Sequence, residues 1–217
     1  MHSVEKSEYM ERLLSFAVGA RAGEESEKIL SAFHSSTDVA SASSDILQNL
    51  SGCSEQSAEF IRLVASISSR RVTDEFKAGK KYTKEEIERY ICALLFHLSV
   101  ESVYMIMLDK SGRFISSELI TEGTVNSSAF LPRKMVDLAL KKKAASVILA
   151  HNHPSGNPIP SDNDISVTLL AKEVLSDAHI EFLAHYISVG FSIYDCLGPI
   201  LYRAETMGAA SKINPLG

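Results

Sequence analysis

The chain contains no tryptophan, and only three of its 217 residues are cysteine. Cys53, Cys92 and Cys196 are far apart in the sequence and form no Cys-x-x-Cys pair, which excludes a disulfide framework and a cysteine-rich zinc cluster. We therefore expect reduced, mostly buried thiols in a cytoplasmic protein. Long apolar runs are also lacking: the longest, 91–100, is too short to cross a bilayer and contains His97.

Basic residues are fewer than acidic ones, 22 against 27. The formal net charge is −5, and residues 1–60 hold four basic against ten acidic side chains, a balance of −6. Non-specific binding to nucleic acid depends on clustered cations, so this composition argues against it. Hydrophobic residues at 45% and charged residues at 23% are ordinary values for a globular protein, and a packed core is expected.

The pattern of apolar residues predicts three segments: a helical module over 1–73, a linker with a connecting helix over 74–99, and a domain of strands and helices over 100–217. In the first segment, apolar residues recur at helical spacing, and serine and aspartate mark the turns between short helices. In the second, Thr83 and Glu86 form a capping box ahead of an apolar helical stripe.

The C-terminal half alternates between strand and helix patterns. Residues 101–120 form two apolar runs around Asp-Lys-Ser-Gly, which indicates a β-hairpin. Pro132 opens a predicted helix, 146–150 is a short buried strand, and a long helix follows from about Ser161. Two more strands are predicted within 180–195. This order indicates an α/β or α+β domain with a mixed sheet flanked by helices, preceded by a small all-α domain.

Two histidines separated by one residue, His151 and His153, follow the predicted strand at 146–150. Because side chains alternate across a strand, both imidazoles project to the same side. Catalytic zinc sites commonly use three His and Asp/Glu ligands, and Asp164 becomes the third if the Pro-rich loop folds the helix start back over the strand end. Zinc lowers the pKa of a bound water to about 7, and a set with one carboxylate favours zinc over magnesium or calcium.

Ser161 and Asp164 also fit a structural pattern. Ser-x-x-Asp is a helix N-cap signature, with Ser161 as the cap and Asp164 near the positive end of the helix dipole. Taken alone, these two residues are better interpreted as structural, and so is an isolated His-x-His pair. The combination H-x-H-x7-S-x2-D, however, is expected by chance only about once in a thousand chains of this length.

The spacing of these four residues resembles the JAMM (MPN-plus) metalloprotease motif, and the run Ala-His-Asn-His-Pro-Ser-Gly resembles the bacterial RadC-like branch of that superfamily. The likeness extends over the C-terminal domain, from the strand pair at 101–115 to the segment 185–190. This resemblance implies a JAMM/MPN-like fold that binds zinc through His151, His153 and Asp164.

The same resemblance implies two catalytic helpers. A glutamate distant in the sequence hydrogen-bonds the metal's water and acts as general base, and its position corresponds to Glu101. Chemistry alone does not choose Glu101 over Glu118 or Glu122. Ser161 is implied to donate a hydrogen bond to the oxyanion of the tetrahedral intermediate.

Two features depart from the RadC-like pattern. The closing strand usually carries an acid before its histidine, but here Ala184 precedes His185, so a carboxylate that would tune the site is predicted to be missing and His185 is interpreted as structural. A helix-hairpin-helix region usually precedes the metal domain, and its Gly-h-Gly turn corresponds to 52–54, where Ser54 replaces the second glycine and Glu55 adds negative charge. We expect a degenerate helical module with little DNA affinity.

These patterns favour a zinc-dependent hydrolase of amide or isopeptide bonds, with a protein or peptide substrate such as a ubiquitin-like tail. A second hypothesis is a DNA-repair-associated or nucleic-acid-associated accessory protein whose metal domain is structural or binds a partner. A third, a metal-free scaffold, is disfavoured because metal-free MPN relatives generally lack the three ligands. The sequence predicts no membrane association and does not identify the substrate or the oligomeric state.

Overall fold

The computed structural model describes residues 2–96, 98–123 and 130–198. The chain forms two compact units, Met1–Arg70 and Arg71–Gly217. Among the described helices, none combines the length and apolar character that a membrane-spanning segment requires. The mixed sheet with flanking helices and the N-terminal helical region confirm the predicted fold class, whereas the predicted domain boundaries stay predictions.

The first unit is built from helices, the last of which continues past Arg70. They are α1 (His2–Val18), a 3-10 turn (Gly19–Arg21), α2 (Ala22–Ala32), α3 (Ser36–Ser41), α4 (Ser44–Ser51) and α5 (Glu55–Glu75). The hydroxyls of Ser35 and Ser43 accept hydrogen bonds from backbone N–H groups in the first turns of α3 and α4, which explains how the serine-rich stretch yields two short, capped helices. The helices enclose an apolar core that includes Leu14, Ile29, Leu47 and Ile61.

The described part of the second unit contains one five-stranded sheet and three helices. They are α6 (Lys84–Leu95), β1 (Ser102–Leu108), β2 (Phe114–Glu122), α7 (Phe130–Lys142), β3 (Ser146–Asn152), α8 (Asp162–Asp177), β4 (Glu181–Val189) and β5 (Ser192–Asp195). The strand order is β2-β1-β3-β4-β5, and only the β3–β4 pair is parallel. A parallel pair needs a crossover connection, and α8 supplies it.

Helices cover both faces of the sheet. Met105, Met107 and Leu149 point from β1 and β3 into a core shared with α7 and α8, whereas Ile106 and Ile148 point into a second core shared with α6. Because both faces are buried, these strands are continuous apolar runs without polar alternation. Thr83 and Glu86 form the predicted capping box at the start of α6.

Two predicted element boundaries differ from the structure by a few residues. Helix α5 continues to Glu75, two residues into the segment predicted as a linker. Helix α7 begins at Phe130, so Pro132 lies in its first turn and does not open it. Proline is tolerated there because the first four N–H groups of a helix have no intrahelical acceptor.

Candidate metal centre

His151 and His153 lie at the carboxyl end of β3, on the sheet face that packs against α8. His151 follows Val147 and Leu149 on that face and is fully buried, because residues two apart in a strand share one side of the sheet. His153 is the first residue after the strand, and its backbone N–H still donates to the Ser188 carbonyl at 3.1 Å. The two Nε2 atoms face each other at 2.9 Å. The prediction that both rings project to one side is confirmed.

The loop after His153 folds back on this ring. Gly156, at φ +80°, closes a turn in which its N–H donates to the His153 carbonyl at 3.0 Å. The chain then brings the backbone carbonyl of Asn157 to 2.6 Å from His153 Nδ1. This contact holds the ring from behind and leaves Nε2 directed toward His151.

Helix α8 begins at the same place and contributes Asp164. Ser161 is its N-cap, and Ser161 and Asp164 form a reciprocal capping box in which Asp164 Oδ2 accepts from the Ser161 N–H at 2.7 Å and from its hydroxyl at 2.6 Å. The carboxylate also lies beside both histidines: Oδ1 is 3.4 Å from His151 Nε2, and Oδ2 is 3.6 Å from His153 Nε2. One side chain therefore has the geometry for both the capping role and the ligand role.

The three donor groups fit a single small cation. The Nε2–Nε2 and the two nitrogen–oxygen separations are 2.9, 3.4 and 3.6 Å. Donor atoms bound at 2.0–2.2 Å to a tetrahedral zinc lie about 3.3–3.6 Å from one another, so the two nitrogen–oxygen separations match this range and the Nε2–Nε2 separation would have to widen slightly. His151, His153 and Asp164 also form the one His/Cys/Asp/Glu group among the described residues that could hold a metal ion.

The hydrogen-bond partners of the two rings direct both Nε2 atoms toward the centre. The Asn157 carbonyl can only accept, so His153 must carry its proton on Nδ1, and its Nε2 then presents a lone pair. His151 Nδ1 is occupied by a 2.8 Å hydrogen bond to His185, so its Nε2 also faces the centre. Both Nε2 atoms are thus directed toward the position that a bound cation would occupy.

The pKa shifts of His151 and Asp164 agree with a centre of this kind. Burial lowers the pKa of His151 to about 4, which keeps the ring neutral and available as a ligand at pH 7. A hydrogen bond with Asp164 raises the pKa of His153. Burial by itself would raise the pKa of Asp164, but hydrogen bonds with His153 and Ser161 hold it well below its usual range. The carboxylate is therefore ionised at any physiological pH.

Glu101 lies immediately before β1 and close to the three donor groups. Val103 pairs with His151, and continuing this antiparallel register by two residues brings Glu101 opposite His153. Burial and the nearby Asp164 carboxylate raise the pKa of Glu101, whereas His153 lowers it. A carboxyl with a raised pKa at this position suits a group that takes and returns a proton.

The two alternative glutamates lie elsewhere. Glu118 is in the middle of β2 and forms an ion pair with Lys142 at 2.5 Å. Glu122 is on the same edge strand, opposite Ser102, so β1 separates it from β3. Among the candidates that the sequence left open, the structure brings only Glu101 to the histidines.

Asn152 holds the backbone on both sides of Glu101, a role that was not predicted from the sequence. Asn152, between the two histidines, is buried on the opposite side of β3. Its Oδ1 accepts from the Ser102 N–H at 2.8 Å, and its Nδ2 donates to the carbonyls of Leu98 and Val100 at 3.0 and 3.1 Å. The His-Asn-His spacing already placed Asn152 opposite the ligands, but only tertiary pairing shows which backbone it holds.

The residue before His185 has a different environment from the one predicted. Ala184 pairs with Ile148 and belongs to the core on the α6 side, whereas His185 pairs with Leu149 and faces α8. A carboxylate at position 184 would thus point away from the histidines. The prediction that Ala184 leaves the site without a tuning group is wrong, because strand alternation separates the two positions. His185 itself contacts His151 and Thr168 and is fully enclosed.

In the first unit, the Glu25 carboxylate occupies the start of α5, at the turn that corresponds to the helix-hairpin-helix region. Gly52, at φ +68°, ends α4, and Ser54 precedes α5. The N–H and hydroxyl of Ser54 donate to Glu25 Oε2 at 2.7 and 2.9 Å, and the Ser57 hydroxyl donates to the same oxygen at 2.8 Å. A phosphate would have to displace this carboxylate to reach the Ser54 N–H.

Replacing Glu25 by glutamine is expected to lower the free energy of unfolding by about 1–3 kcal/mol at pH 7, the usual worth of hydrogen bonds to a charged group. Burial by itself would raise the pKa of Glu25, but hydrogen bonds from Ser54 and Ser57 lower it from 4.5 to about 2. Because the folded-state pKa is depressed, this stabilisation is present above pH 4.5 and is lost as the pH falls toward 2.

Denaturant titrations of the full chain at pH 7 and pH 3 measure this effect. The matched control is Glu24→Gln, which removes an exposed acid from the same helical turn and should change stability by less than about 0.5 kcal/mol. Equal losses in the two variants, or a Glu25→Gln loss that does not shrink at pH 3, would contradict this role of the Glu25 carboxylate.

Comparison with known proteins was consistent with this geometry. A family model described as a RadC-like JAB domain matches residues 82–194, slightly more than half of the chain. The chain is 39% identical over 127 residues to a UPF0758 protein of Finegoldia magna, covering 58% of this chain and 56% of the relative, and 35% identical over 128 residues to one of Photobacterium profundum, covering 58% and 57%. With a UPF0758 protein of a Janthinobacterium species it shares 32% identity over 167 residues, covering 76% and 75%. The chain thus spans little more than half the length of the first two relatives.

Proposed function

We propose a hydrolytic function from one premise: this chain belongs to the RadC-like JAB domain family. Membership brings with it a JAMM-type metal-dependent fold, and the group formed by His151, His153 and Asp164 could bind a metal ion. The proposed function is zinc-dependent hydrolysis of amide or isopeptide bonds. The observation that carries this proposal is the convergence of two imidazoles and one carboxylate, with Glu101 beside them, at one end of the sheet.

Zinc is the metal that suits these donor groups. Two neutral imidazoles and one carboxylate are typical of catalytic zinc sites, whereas magnesium and calcium prefer shells made of oxygen. When bound, zinc acts as a Lewis acid that polarises a carbonyl and makes a water molecule acidic near neutral pH. His151, His153 and Asp164 would hold the ion, and the buried ring of His151, the half-buried ring of His153 and the capped carboxylate need little rearrangement to do so.

Two further side chains have roles in the proposed reaction. Glu101 accepts a proton from the attacking water and later returns it to the leaving amine, a task that its raised pKa suits. Ser161, whose exposed hydroxyl donates to Asp164 in this structure, turns to donate to the oxyanion that forms from the substrate carbonyl. Such a donor is typically worth about 10²–10³ in rate.

The proposed substrate is a protein or peptide, and a ubiquitin-like tail is one candidate of this chemistry. The relatives are named only as UPF0758 proteins, and the first two are covered over little more than half of their length, so the activity of the whole protein rests on this proposal. The free, buried cysteines suit a reducing compartment such as the cytoplasm.

The alternative function, a DNA-associated accessory role, has less support. It depends on the hairpin turn, where Glu25 occupies the N–H group that a phosphate would use. A DNA titration at physiological salt tests this alternative: binding at micromolar concentration or tighter would favour it over a hydrolase without DNA affinity.

The hydrolase proposal is tested in two steps. Metal analysis of the purified full chain at neutral pH is expected to find stoichiometric zinc. A proteomic comparison of a cell extract incubated with the wild type or with Glu101→Gln should then find new chain ends only with the wild type. A metal-free protein at neutral pH, or the same cleavage products with Glu101→Gln, would overturn the proposal.

A further inference from the structure

Behind the proposed metal centre, a chain of hydrogen bonds joins three elements of the second unit. His151 Nδ1 lies 2.8 Å from His185 Nε2, and His185 Nδ1 lies 2.6 Å from the Thr168 hydroxyl. The Thr168 hydroxyl in turn donates to the backbone carbonyl of Asp164 at 2.5 Å. The chain thus runs from β3 through β4 to α8 and ends at the residue whose side chain is the third candidate ligand.

The last group in this chain fixes its direction. A backbone carbonyl can only accept, so the single hydroxyl proton of Thr168 is directed to Asp164. If that proton pointed to His185 instead, two oxygen lone pairs would face each other at 2.5 Å. Thr168 therefore accepts from His185, which must carry its proton on Nδ1. The more distant Cys196 sulfur, 3.5 Å from the same hydroxyl, does not compete with the carbonyl.

The proton position on His185 determines the proton position on His151. A neutral imidazole has one N–H, so His185 Nε2 presents a lone pair to His151. The contact is a hydrogen bond only if His151 carries its proton on Nδ1. Its Nε2 then has a free lone pair aimed at His153 and Asp164. Both His185 and Thr168 are buried, at 3% and 0% exposed, so water cannot replace either contact.

We propose that Thr168 and His185 are positioning residues that hold His151 as its Nδ1–H tautomer and direct its Nε2 lone pair into the metal centre. This inference rests on the proposed function for the identity of the ligand but not for the hydrogen bonding itself. Groups that orient a metal-ligating histidine typically contribute 10- to 100-fold to metal affinity. Here a histidine and a threonine take the place that a carboxylate or carbonyl usually occupies behind such a ring.

The proton positions are measured directly in the metal-free full chain. Long-range ¹H–¹⁵N spectra of ¹⁵N-histidine-labelled protein at pH 7, assigned by single histidine substitutions, distinguish the two tautomers. The wild type is expected to show the Nδ1–H form for both His151 and His185. An Nε2–H form of His151 would overturn the proposal. The tautomers are read from the wild-type protein itself, and substitutions serve only to assign its signals.

Two variants then test the effect on zinc. Thr168→Val keeps the shape of the side chain but removes the hydroxyl, so it should mix the tautomers of His185 and His151 and weaken zinc binding by about 10- to 100-fold in a chelator competition. Thr168→Ser restores the hydroxyl and should restore both readouts. A Thr168→Val protein that loses thermal stability but keeps the wild-type tautomers and zinc affinity would show a merely structural role and overturn the proposal.

A second pair of variants changes His185. Glutamine can accept from His151 and donate to Thr168, whereas phenylalanine can do neither, so His185→Gln should retain more zinc affinity than His185→Phe. Equal zinc affinities of the two variants would count against a positioning role of His185. A wild type that binds no zinc would instead overturn the proposed function. The tautomers of His151 and His185 in the metal-free protein would still show whether Thr168 and His185 position His151.

Discussion

Replacing Glu101 by glutamine is expected to lower the rate of hydrolysis by about 10²–10⁴-fold, the usual contribution of a positioned general base. Glutamine has nearly the same size and can still form hydrogen bonds, but it cannot take a proton from water. The side chain lies next to His153 and Asp164 without being one of the three donor groups, so zinc content should stay at the wild-type level. Turnover of a cleaved protein found in the proteomic comparison, together with metal analysis, measures both quantities.

The matched control for this prediction is Glu122→Gln. Glu122 is also an exposed glutamate of the same sheet, but it lies on the edge strand β2, on the far side of β1 from the histidines. Its replacement should change the rate by less than twofold. If Glu101→Gln keeps wild-type turnover, or if Glu122→Gln loses as much as Glu101→Gln, then Glu101 is not the base.

Replacing Asp164 by asparagine should weaken zinc binding more than about 100-fold, beyond the range for residues that merely orient a ligand. The substitution removes the negative charge of the donor set and exchanges a carboxylate oxygen for a weaker amide ligand. Asparagine can still accept from the Ser161 N–H, so the start of α8 should remain capped. This variant therefore separates the ligand role of the side chain from its capping role, which alanine would remove together.

Asp162→Asn is the control for this experiment. Asp162 is an exposed acid in the same first turn of α8, so its replacement changes the helix charge equally without touching the donor group. Chelator competition should give wild-type zinc affinity for Asp162→Asn, and thermal unfolding should show that both variants fold. Wild-type zinc affinity in Asp164→Asn would remove the carboxylate from the proposed ligand set.

The double use of Asp164 explains why this part of the sequence supports two interpretations. A helix N-cap and a metal ligand both require an acidic side chain near the first turn, and the capping box orients the carboxylate that lies beside the rings. Hydrogen bonds from Ser161 hold one carboxylate oxygen, and the other faces His151. Because the cap already restricts the carboxylate, less conformational entropy is lost when the carboxylate binds a cation.

Much of the fold could be predicted because it depends on local rules. Capping boxes at Thr83 and Ser161 depend on residues three positions apart, and the strand pairs follow from apolar runs separated by turn residues. The wrong predictions concern boundaries, such as the start of α7, where proline is tolerated at several positions of the first turn. The inference about Ala184 failed for another reason: it took adjacency in the sequence for adjacency in space.

The sequence by itself predicted the family, the mixed sheet with its preceding helices, and three candidate ligands, because spacing within one strand and one helix turn fixes the local direction of those side chains. The meeting of Asp164 with the two rings depends on the path of the loop between them, which is a property of the tertiary structure. Only the tertiary structure decided which groups stand behind them. Asn152, Thr168 and His185 gain their roles from hydrogen bonds between residues 17 to 54 positions apart. Such contacts depend on how β1, β3, β4 and α8 pack together, and packing between distant segments leaves no periodic pattern in a single chain.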